Sequence, residues 1–321
     1  MINFGISGRF RLELIDACTG AITQVREFDN LILDTGLNGY GSGLPNNVGR
    51  CWVGEGTTPP TPSDLRLQSP LGWANHIYMW GGEPFTYGTA PDYVSSLTKE
   101  YHFGTGAIVG NVAEIGLANG DDDHSKAVFW CRSLVKNAAG VPEPLPVGSN
   151  NILRVYYTIY LHPELSDSSY SFDFDGVTYN CISRPSEIQD SRPAGGESSI
   201  CVASIEVQQV YKGGNLGTIR ERIVNYENTK WENLYAYAPS GKPYVEGTFY
   251  RDFVQQFPID YFNIDGGFDG LWITSSLRWG AGASFAISTQ VKLDKIIPKD
   301  STNAFNLTLR TSWHRWIDPN A

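Results

Sequence analysis

The sequence has no run of basic residues, because its 24 Lys and Arg residues are dispersed among 34 Asp and Glu residues. The formal net charge is therefore −10. Proteins that hold the phosphate backbone without regard to base sequence need clustered Lys and Arg side chains to displace counterions. We therefore expect no nucleic-acid partner.

Long apolar runs are also missing, since no stretch reaches the roughly 18 residues that a membrane-spanning helix requires. The opening residues Met1, Ile2, Asn3 and Phe4 have neither the basic segment nor the apolar core of a signal peptide. We expect synthesis in a cytoplasm and no insertion into a membrane.

Cysteine is scarce, and the spacing of the cysteines indicates neither disulfide pairs nor a metal site. An odd number of cysteines without a CxxC pair favours neither a zinc site nor a complete disulfide framework. We interpret them as buried free thiols and expect no metal and no cofactor. The five cysteines are Cys18, Cys51, Cys131, Cys181 and Cys201.

Local catalytic signatures are absent as well. The five histidines never form HxH, HxxxH or HExxH, and no GxSxG pattern occurs. The glycines of residues 104–110 superficially resemble a dinucleotide-binding loop, but their spacing is not GxGxxG and further glycines interrupt any following helix. We interpret this run as a turn between strands and expect no enzymatic activity.

Two acidic groups leave alternatives open. Asp121, Asp122 and Asp123 favour a solvated hairpin tip over a metal site, because the spacing of a calcium loop is missing. Asp173 and Asp175 alternate beside a turn, which is typical of an edge strand that resists aggregation. The alternative for this second pair is acid–base work on a glycosidic bond.

The dominant pattern that is present is alternation with a period of two. Such alternation predicts strands with one buried face, and 34 Gly and 18 Pro spread along the chain predict many turns between them. We predict an all-β fold, an antiparallel β-sandwich of jelly-roll type with long loops and an insertion. The strongest strands cover residues 9–14, 22–28, 153–161, 285–293 and 305–309, and weaker ones cover 97–103, 112–117, 128–135, 201–211 and 271–279.

Asp175-Gly176 predicts a tight hairpin turn within residues 172–182. Helix is expected only in a short piece after Ser63 and in residues 218–226, where the apolar spacing is helical. Three long loops are predicted, at residues 38–50, 137–151 and 183–199. The predicted division is an N-terminal sandwich portion at 1–164, an insertion or second β subdomain at 165–270, and C-terminal strands at 271–321 that return to the sandwich.

Four aromatic residues are candidates for binding: Tyr156, Tyr160, Trp313 and Trp316. The two tyrosines are predicted on the outer face of the strand at 153–161, and the two tryptophans lie near the C-terminus. Contacts between subunits are the preferred interpretation, with ordinary core packing and glycan binding as alternatives.

Residues 28–37 read Phe-Asp-Asn-Leu-Ile-Leu-Asp-Thr-Gly-Leu, and residues 51–60 read Cys-Trp-Val-Gly-Glu-Gly-Thr-Thr-Pro-Pro. This arrangement resembles a pattern of tailed-bacteriophage and prophage structural proteins, in which N-x-I-x-D-x-G-L precedes x-V-G-x-G-T-x-x-P and a leucine-containing segment. Residues 64–71 match that segment, residues 111–117 match a later N-x-A-E-I-G-L, and a strand at 131–135 follows. The resemblance covers residues 1–162.

The resemblance implies a non-enzymatic virion protein of the tail tip, baseplate or fibre-attachment region. Its expected partners are other tail proteins and further copies of itself. The alternative is a host-adhesion protein that binds or depolymerises surface polysaccharide. Independently of the resemblance, Gly36, Gly54, Gly56 and Pro59 are interpreted as structural turn residues, because glycine avoids a Cβ clash and proline stiffens the chain.

Overall fold

The computed structural model describes residues 2–44, 47–77, 85–86, 93–191, 200–219, 221–231, 240–279 and 284–318. The described residues are nearly all β, which confirms the predicted all-β class. Within these ranges there is one helix, α1 (Asp34–Ser42). The strands are β1 (Ile2–Asp16), β2 (Ile22–Asp29), β3 (Leu31–Ile32), β4 (Arg50–Gly54), β5 (Pro70–Asn75), β6 (Phe85–Thr86), β7 (Ser95–Phe103), β8 (Gly110–Val112), β9 (Glu114–Ala118), β10 (Phe129–Leu134), β11 (Leu145–Val147), β12 (Asn151–Pro163), β13 (Ser168–Phe174), β14 (Val177–Ser191), β15 (Ile200–Asn215), β16 (Val224–Trp231), β17 (Ser240–Gly241), β18 (Tyr250–Phe257), β19 (Phe268–Trp279), β20 (Ser284–Ile297) and β21 (Phe305–Arg315).

The first large sheet is organised around β1. Its strand order is β17-β18-β21-β1-β12-β7-β6, and β2 also pairs with β1. β12 covers one edge of β1 from Phe4 to Asp16. The other edge is divided, because β21 pairs in parallel with the first residues of β1 and β2 pairs antiparallel with the later ones. The first and last strands of the protein are therefore neighbours.

The second large sheet has the order β13-β14-β20-β19-β15-β16 and is antiparallel throughout. A smaller sheet, β3-β10-β9-β4-β5, and the pair β11-β8 complete the fold. Buried residues of both large sheets form one hydrophobic core, which includes Leu12 and Val155 from the first sheet and Leu271 and Val291 from the second. This arrangement is consistent with a sandwich, and the jelly-roll order of strands stays a prediction.

The hairpin at Asp175-Gly176 is confirmed. β13 and β14 pair directly from Phe174–Val177 outward, with φ of 49° at Asp175 and 71° at Gly176. Positive φ at both central residues is the mark of the tight turn whose twist matches the flanking strands. The run at 104–110 is also confirmed as a turn, because it connects β7 to β8.

Several local predictions are wrong. Residues 38–42 belong to α1 instead of a loop, no helix forms after Ser63, and residues 224–226 begin β16. Residues 183–191 are not loop either, since they continue β14 and pair with β20, whereas residues 192–199 lie outside the described residues. The predicted loop at 137–151 contains the short β11.

Both large sheets contain strands from more than one of the three predicted segments, and the division itself stays a prediction. β18 lies within residues 165–270 but pairs with β21 of the first sheet. β19 and β20 pair with β15 and β14 in the second sheet. Only β21 of the C-terminal strands returns to β1. Among the described residues, no helix has the length and apolar character needed to cross a membrane.

Candidate functional site

The residues of the phage-like pattern converge on one buried carboxylate, that of Glu114 at the start of β9. Its side chain is fully buried. Its oxygens accept hydrogen bonds from the backbone N–H groups of Gly56 at 3.1 Å, Gln68 at 2.9 Å and Ser69 at 2.8 Å. A fully buried carboxylate is costly unless every lone pair finds a donor. Glu114 therefore fixes both ends of the loop between β4 and β5.

Arg132 of β10 supplies the opposing charge and is only 2% exposed. Its Nε donates to Glu114 at 3.0 Å, and a second guanidinium nitrogen lies 2.8 Å from the same carboxylate. The guanidinium also donates to the Thr58 carbonyl at 3.0 Å and to the Asp64 carboxylate. One buried arginine thus links β9, β10 and two points of the loop. We call Glu114, Arg132 and Asp64 the ion cluster.

Asp64 completes the ion cluster from the loop side. It accepts from the Thr61 hydroxyl at 2.6 Å and from the Thr61 backbone N–H at 3.1 Å. Partial burial acts to raise the pKa of Asp64, but the hydrogen bonds from Thr61 and Arg132 outweigh it and hold the pKa below its usual 3.8. The segment after Ser63, which was predicted as a short helix, is therefore a turn that is stabilised by the hydrogen bonds that Asp64 accepts from Thr61.

Gly54 and Gly56 are required by the closeness of Glu114. A Cβ on Gly54 would lie 2.4 Å from the Ser69 carbonyl oxygen, and a Cβ on Gly56 would lie 2.3 Å from Oε1 of Glu114. Neither glycine has a positive φ. Sequence analysis gave avoidance of a Cβ clash as the reason for both glycines, and these distances agree with it. Pro59 is exposed within the same loop.

The first half of the pattern fastens α1 to β10. Gly36 lies in α1, not in a turn as predicted, and a Cβ there would meet the Trp130 carbonyl oxygen at 2.2 Å. Thr35 donates its hydroxyl to the Phe129 carbonyl at 2.6 Å. Asp34 pairs with Arg315 at the end of β21. The pattern therefore also holds the C-terminal strand.

The four candidate aromatic residues do not form one surface. Trp313 is 2% exposed, donates its indole N–H to the Leu37 carbonyl at 3.0 Å, and packs edge-on against Tyr40. The binding prediction for Trp313 is therefore wrong, and its alternative of core packing holds. Trp316 is partly exposed and stacks on His162 with ring centroids 3.9 Å apart and planes 5° apart.

Tyr160 approaches the same surface as Trp316, because its ring lies 6.3 Å from that of His162. Tyr156 is half-buried and accepts a hydrogen bond from Arg154 at 3.4 Å. Partial burial raises the pKa of its hydroxyl. Tyr156 thus belongs to a charged surface that sequence analysis missed.

That surface is a ladder of ion pairs on the outer face of the first sheet. Arg11 bridges Glu13 at 2.7 Å and Glu27 at 2.6 Å, and Arg154 lies 3.5 Å from both Glu13 and Glu100. The alternation Arg9, Arg11, Glu13 was the available signal, but pairing partners on β2, β12 and β7 depend on strand register.

The cysteine prediction holds in part. Cys51, Cys131 and Cys181 are free and buried, and burial raises the pKa of Cys131 to about 12. Cys18 is free but exposed, so the expectation of burial is wrong there. The side chain of Cys201 lies outside the described residues. Such buried thiols are poor nucleophiles.

The acidic groups are occupied by local hydrogen bonds. Asp123 accepts from the Ser125 hydroxyl at 2.6 Å and pairs with Lys126, and these contacts lower its pKa to about 2. Asp173 accepts from the Thr178 hydroxyl at 2.6 Å across the hairpin. Among the described residues, no group of three or more His, Cys, Asp or Glu side chains is arranged to hold a metal ion.

Comparison with known proteins adds no relative: no family model, curated protein or solved structure matches this chain.

Proposed function

We propose that this protein is a non-enzymatic structural component of a phage virion, in the tail tip, baseplate or fibre-attachment region, and that it acts through protein–protein contacts. One observation carries the proposal. Four polar residues of the phage-like pattern, Asp34, Thr35, Asp64 and Glu114, hold strands and loops together.

The ion cluster supports a structural role for the pattern because its charges are directed at each other and at backbone groups. Catalytic sites usually keep a titratable group accessible to a substrate in a cleft. Glu114 and Arg132 are instead sealed inside the protein. A shared pattern that builds a rigid loop is what a recurring structural module needs, with its contacts made elsewhere on the surface.

Purified particles from a bacterium that produces the phage provide the test. We expect the chain in those particles at a fixed copy number, and electron microscopy of particles with a tagged chain should place it in the tail. Absence from purified particles, while the protein is present in the lysate, would contradict the proposal.

Binding of host-surface glycan is the second candidate, and the stacked pair of Trp316 and His162 favours it. A planar aromatic surface beside Tyr160 offers the kind of face on which sugar rings stack. Trp316→Ala should abolish any binding on a glycan array, whereas Trp313→Ala tests only the core. If the wild-type protein binds no glycan on such an array, the structural role remains as the only candidate function.

A further inference from the structure

We propose that the free edge of β13 is a docking site for an extended segment of another protein, which adds to the second large sheet as a seventh strand. The segment that fits has apolar side chains at alternate positions and basic side chains between them. This inference concerns the isolated protein and does not depend on its location in a virion.

The first observation is the pairing of β13. Of the strands that the structure describes, β13 pairs only with β14, and their register has no irregularity. In a hairpin with a two-residue turn, Phe174 and Val177 exchange hydrogen bonds, and the pattern alternates from there. The backbone N–H and C=O groups of Ser169, Ser171 and Asp173 therefore point away from β14, toward the free edge.

The second observation is that this edge is protected only at its turn end, where Asp173 and Asp175 lie. Exposed edges are normally shortened, bulged, or carry Pro or Lys, because a bare edge recruits other strands. β17, β6 and β3 have two residues each, β5 begins at Pro70, and β16 pairs across a register shift and carries Lys230. β2 carries Arg26 and Glu27. β13 has seven regular residues and places two small serines at the free positions.

The third observation is an apolar cavity beside the same edge. A cavity of about 200 Å³ lies between the two large sheets, with β13, β19 and β20 on one side and β18 and β21 on the other. Its walls include Tyr170, Phe172, Leu307 and Leu309, and Arg310 and Asp252 form an ion pair at 2.7 Å beside it. Tyr170, Phe172 and Phe174 are only partly buried. A strand added at β13 would place a large apolar side chain against these residues.

The charges near β13 define the rest of the segment. Asp173 and Asp175 are exposed at the turn, and Asp294 of β20 accepts hydrogen bonds from Asn180 of the same hairpin, while Lys295 donates to the Thr178 carbonyl. The acidic charges exceed the basic ones at this end of β13. A second copy of the chain would bring the same acidic hairpin and a net charge of −10. Basic side chains on the partner segment complement this surface instead.

The experiment uses the full chain and a synthetic peptide, acetyl-Val-Lys-Phe-Thr-Ile-Lys-Val-amide, labelled for fluorescence polarisation. The control peptide has Glu in place of both Lys residues. Ser171→Pro removes one outward N–H without touching the β13–β14 ladder, and Ser171→Thr is the matched control that keeps it. Far-UV dichroism establishes that each variant is folded.

We expect saturable binding of the Lys peptide by the wild type and by Ser171→Thr, and a loss of affinity of about tenfold or more in Ser171→Pro, since each 1.4 kcal/mol is tenfold. Asp173→Asn should reduce the preference for the Lys peptide over the Glu peptide. If Ser171→Pro does not fold, Ser169→Pro gives the same comparison at another outward N–H.

Three outcomes would overturn the proposal. The first is equal binding by the proline variant, and the second is no saturable binding of the Lys peptide by the wild type. The third is a wild-type dimer that Ser171→Pro converts to a monomer, because the occupant of the edge would then be a second copy of this chain. Light scattering after size-exclusion chromatography distinguishes that case.

Discussion

Arg132 is the residue on which the loop between β4 and β5 depends most. Replacing it with Met would leave Glu114 fully buried without an opposing charge, and removing one partner of a buried pair costs about 3–5 kcal/mol of unfolding free energy. Urea unfolding measures this loss. Arg9→Met is the control, because Arg9 is 46% exposed and its pair with Glu27 contributes about 0–1 kcal/mol. Equal losses in the two variants would contradict the role of the ion cluster.

Gly56 tests the close approach of Glu114 to the loop. In Gly56→Ala the new Cβ would overlap Oε1 of Glu114, so the carboxylate or the loop must shift. We expect a loss of about 1–3 kcal/mol in unfolding free energy, as for other overpacked sites. Gly104→Ala is the control, since nothing lies within 4 Å of its Cβ position. A stability change in Gly56→Ala no larger than in Gly104→Ala would show that the contact is not rigid.

Acidification should weaken the ion cluster through Asp64. Its pKa in the folded protein is below 3.8, so its stabilising contribution is present above that pH and is lost as the pH falls through the folded pKa. Asp64→Asn should be less stable at neutral pH and should lose less stability than wild type as the pH falls below 3.8. Urea unfolding across these pH values measures both. Asp122→Asn, at an exposed position, should follow the wild-type curve.

Among the elements, the hairpin of β13 and β14 was predicted from two residues. An Asp-Gly pair between two alternating runs, here Asp175-Gly176, is typical of a tight hairpin turn. Gly176→Ala should cost about 1 kcal/mol, the usual strain of a side chain at positive φ. The effect is purely conformational, since nothing lies within 4 Å of the Cβ position. Thermal unfolding measures it against Gly104→Ala. A neutral Gly176→Ala would mean that the turn relaxes to another type.

Helix α1 shows where sequence reasoning failed for an element. Gly36, Gly39 and Gly41 lie within nine residues, and each glycine disfavours helix by about 1 kcal/mol relative to Ala. The helix forms because tertiary packing overrides propensity. Side chains at Gly36 and Gly41 would overlap Trp130 and Trp313. No local pattern reveals such distant neighbours.

The reverse error occurred at residues 218–226, where the apolar spacing predicted a helix. Gln290 of β20 is fully buried and donates to the carbonyls of Gly217 and Thr218 at 3.1 and 3.0 Å. Ile223 packs with Tyr211 and Trp272 in a small separate core. Gln290, 72 residues away in the chain, thus donates a hydrogen bond to the Thr218 carbonyl, which in a helix would accept from a backbone N–H group.

The candidate site was also predicted only in part from the sequence. The sequence indicated a loop of defined conformation from Gly54, Gly56 and Asp64. The roles of Glu114 and Arg132 were not predicted, because a charged residue within a strand is normally expected on a solvent-facing side. Their burial depends on the register of β9 and β10, which no local signal determines.

At the scale of the whole molecule, β21 is an interior strand of the first sheet. It pairs with β18 on one side and β1 on the other. A chain ending at residue 304 should therefore fail to fold, because both neighbours lose their partner and the core loses Leu307, Leu309 and Trp313. Dichroism and solubility measure this. A control chain ending at residue 316 keeps β21 and should fold. A folded and soluble chain without β21 would show that the first sheet closes by other contacts.

The pairing of β1 with β21 also determines when folding can finish during synthesis. Asn3 and Ser312, which are hydrogen-bonded partners, leave the ribosome 309 residues apart. Until β21 emerges, the first part of β1 presents an open strand edge to every other nascent chain nearby. Hydrogen bonds between such distant residues form slowly. Newly made protein should therefore need protection from aggregation, so its yield in a bacterium should rise with slower translation, lower temperature and higher chaperone levels.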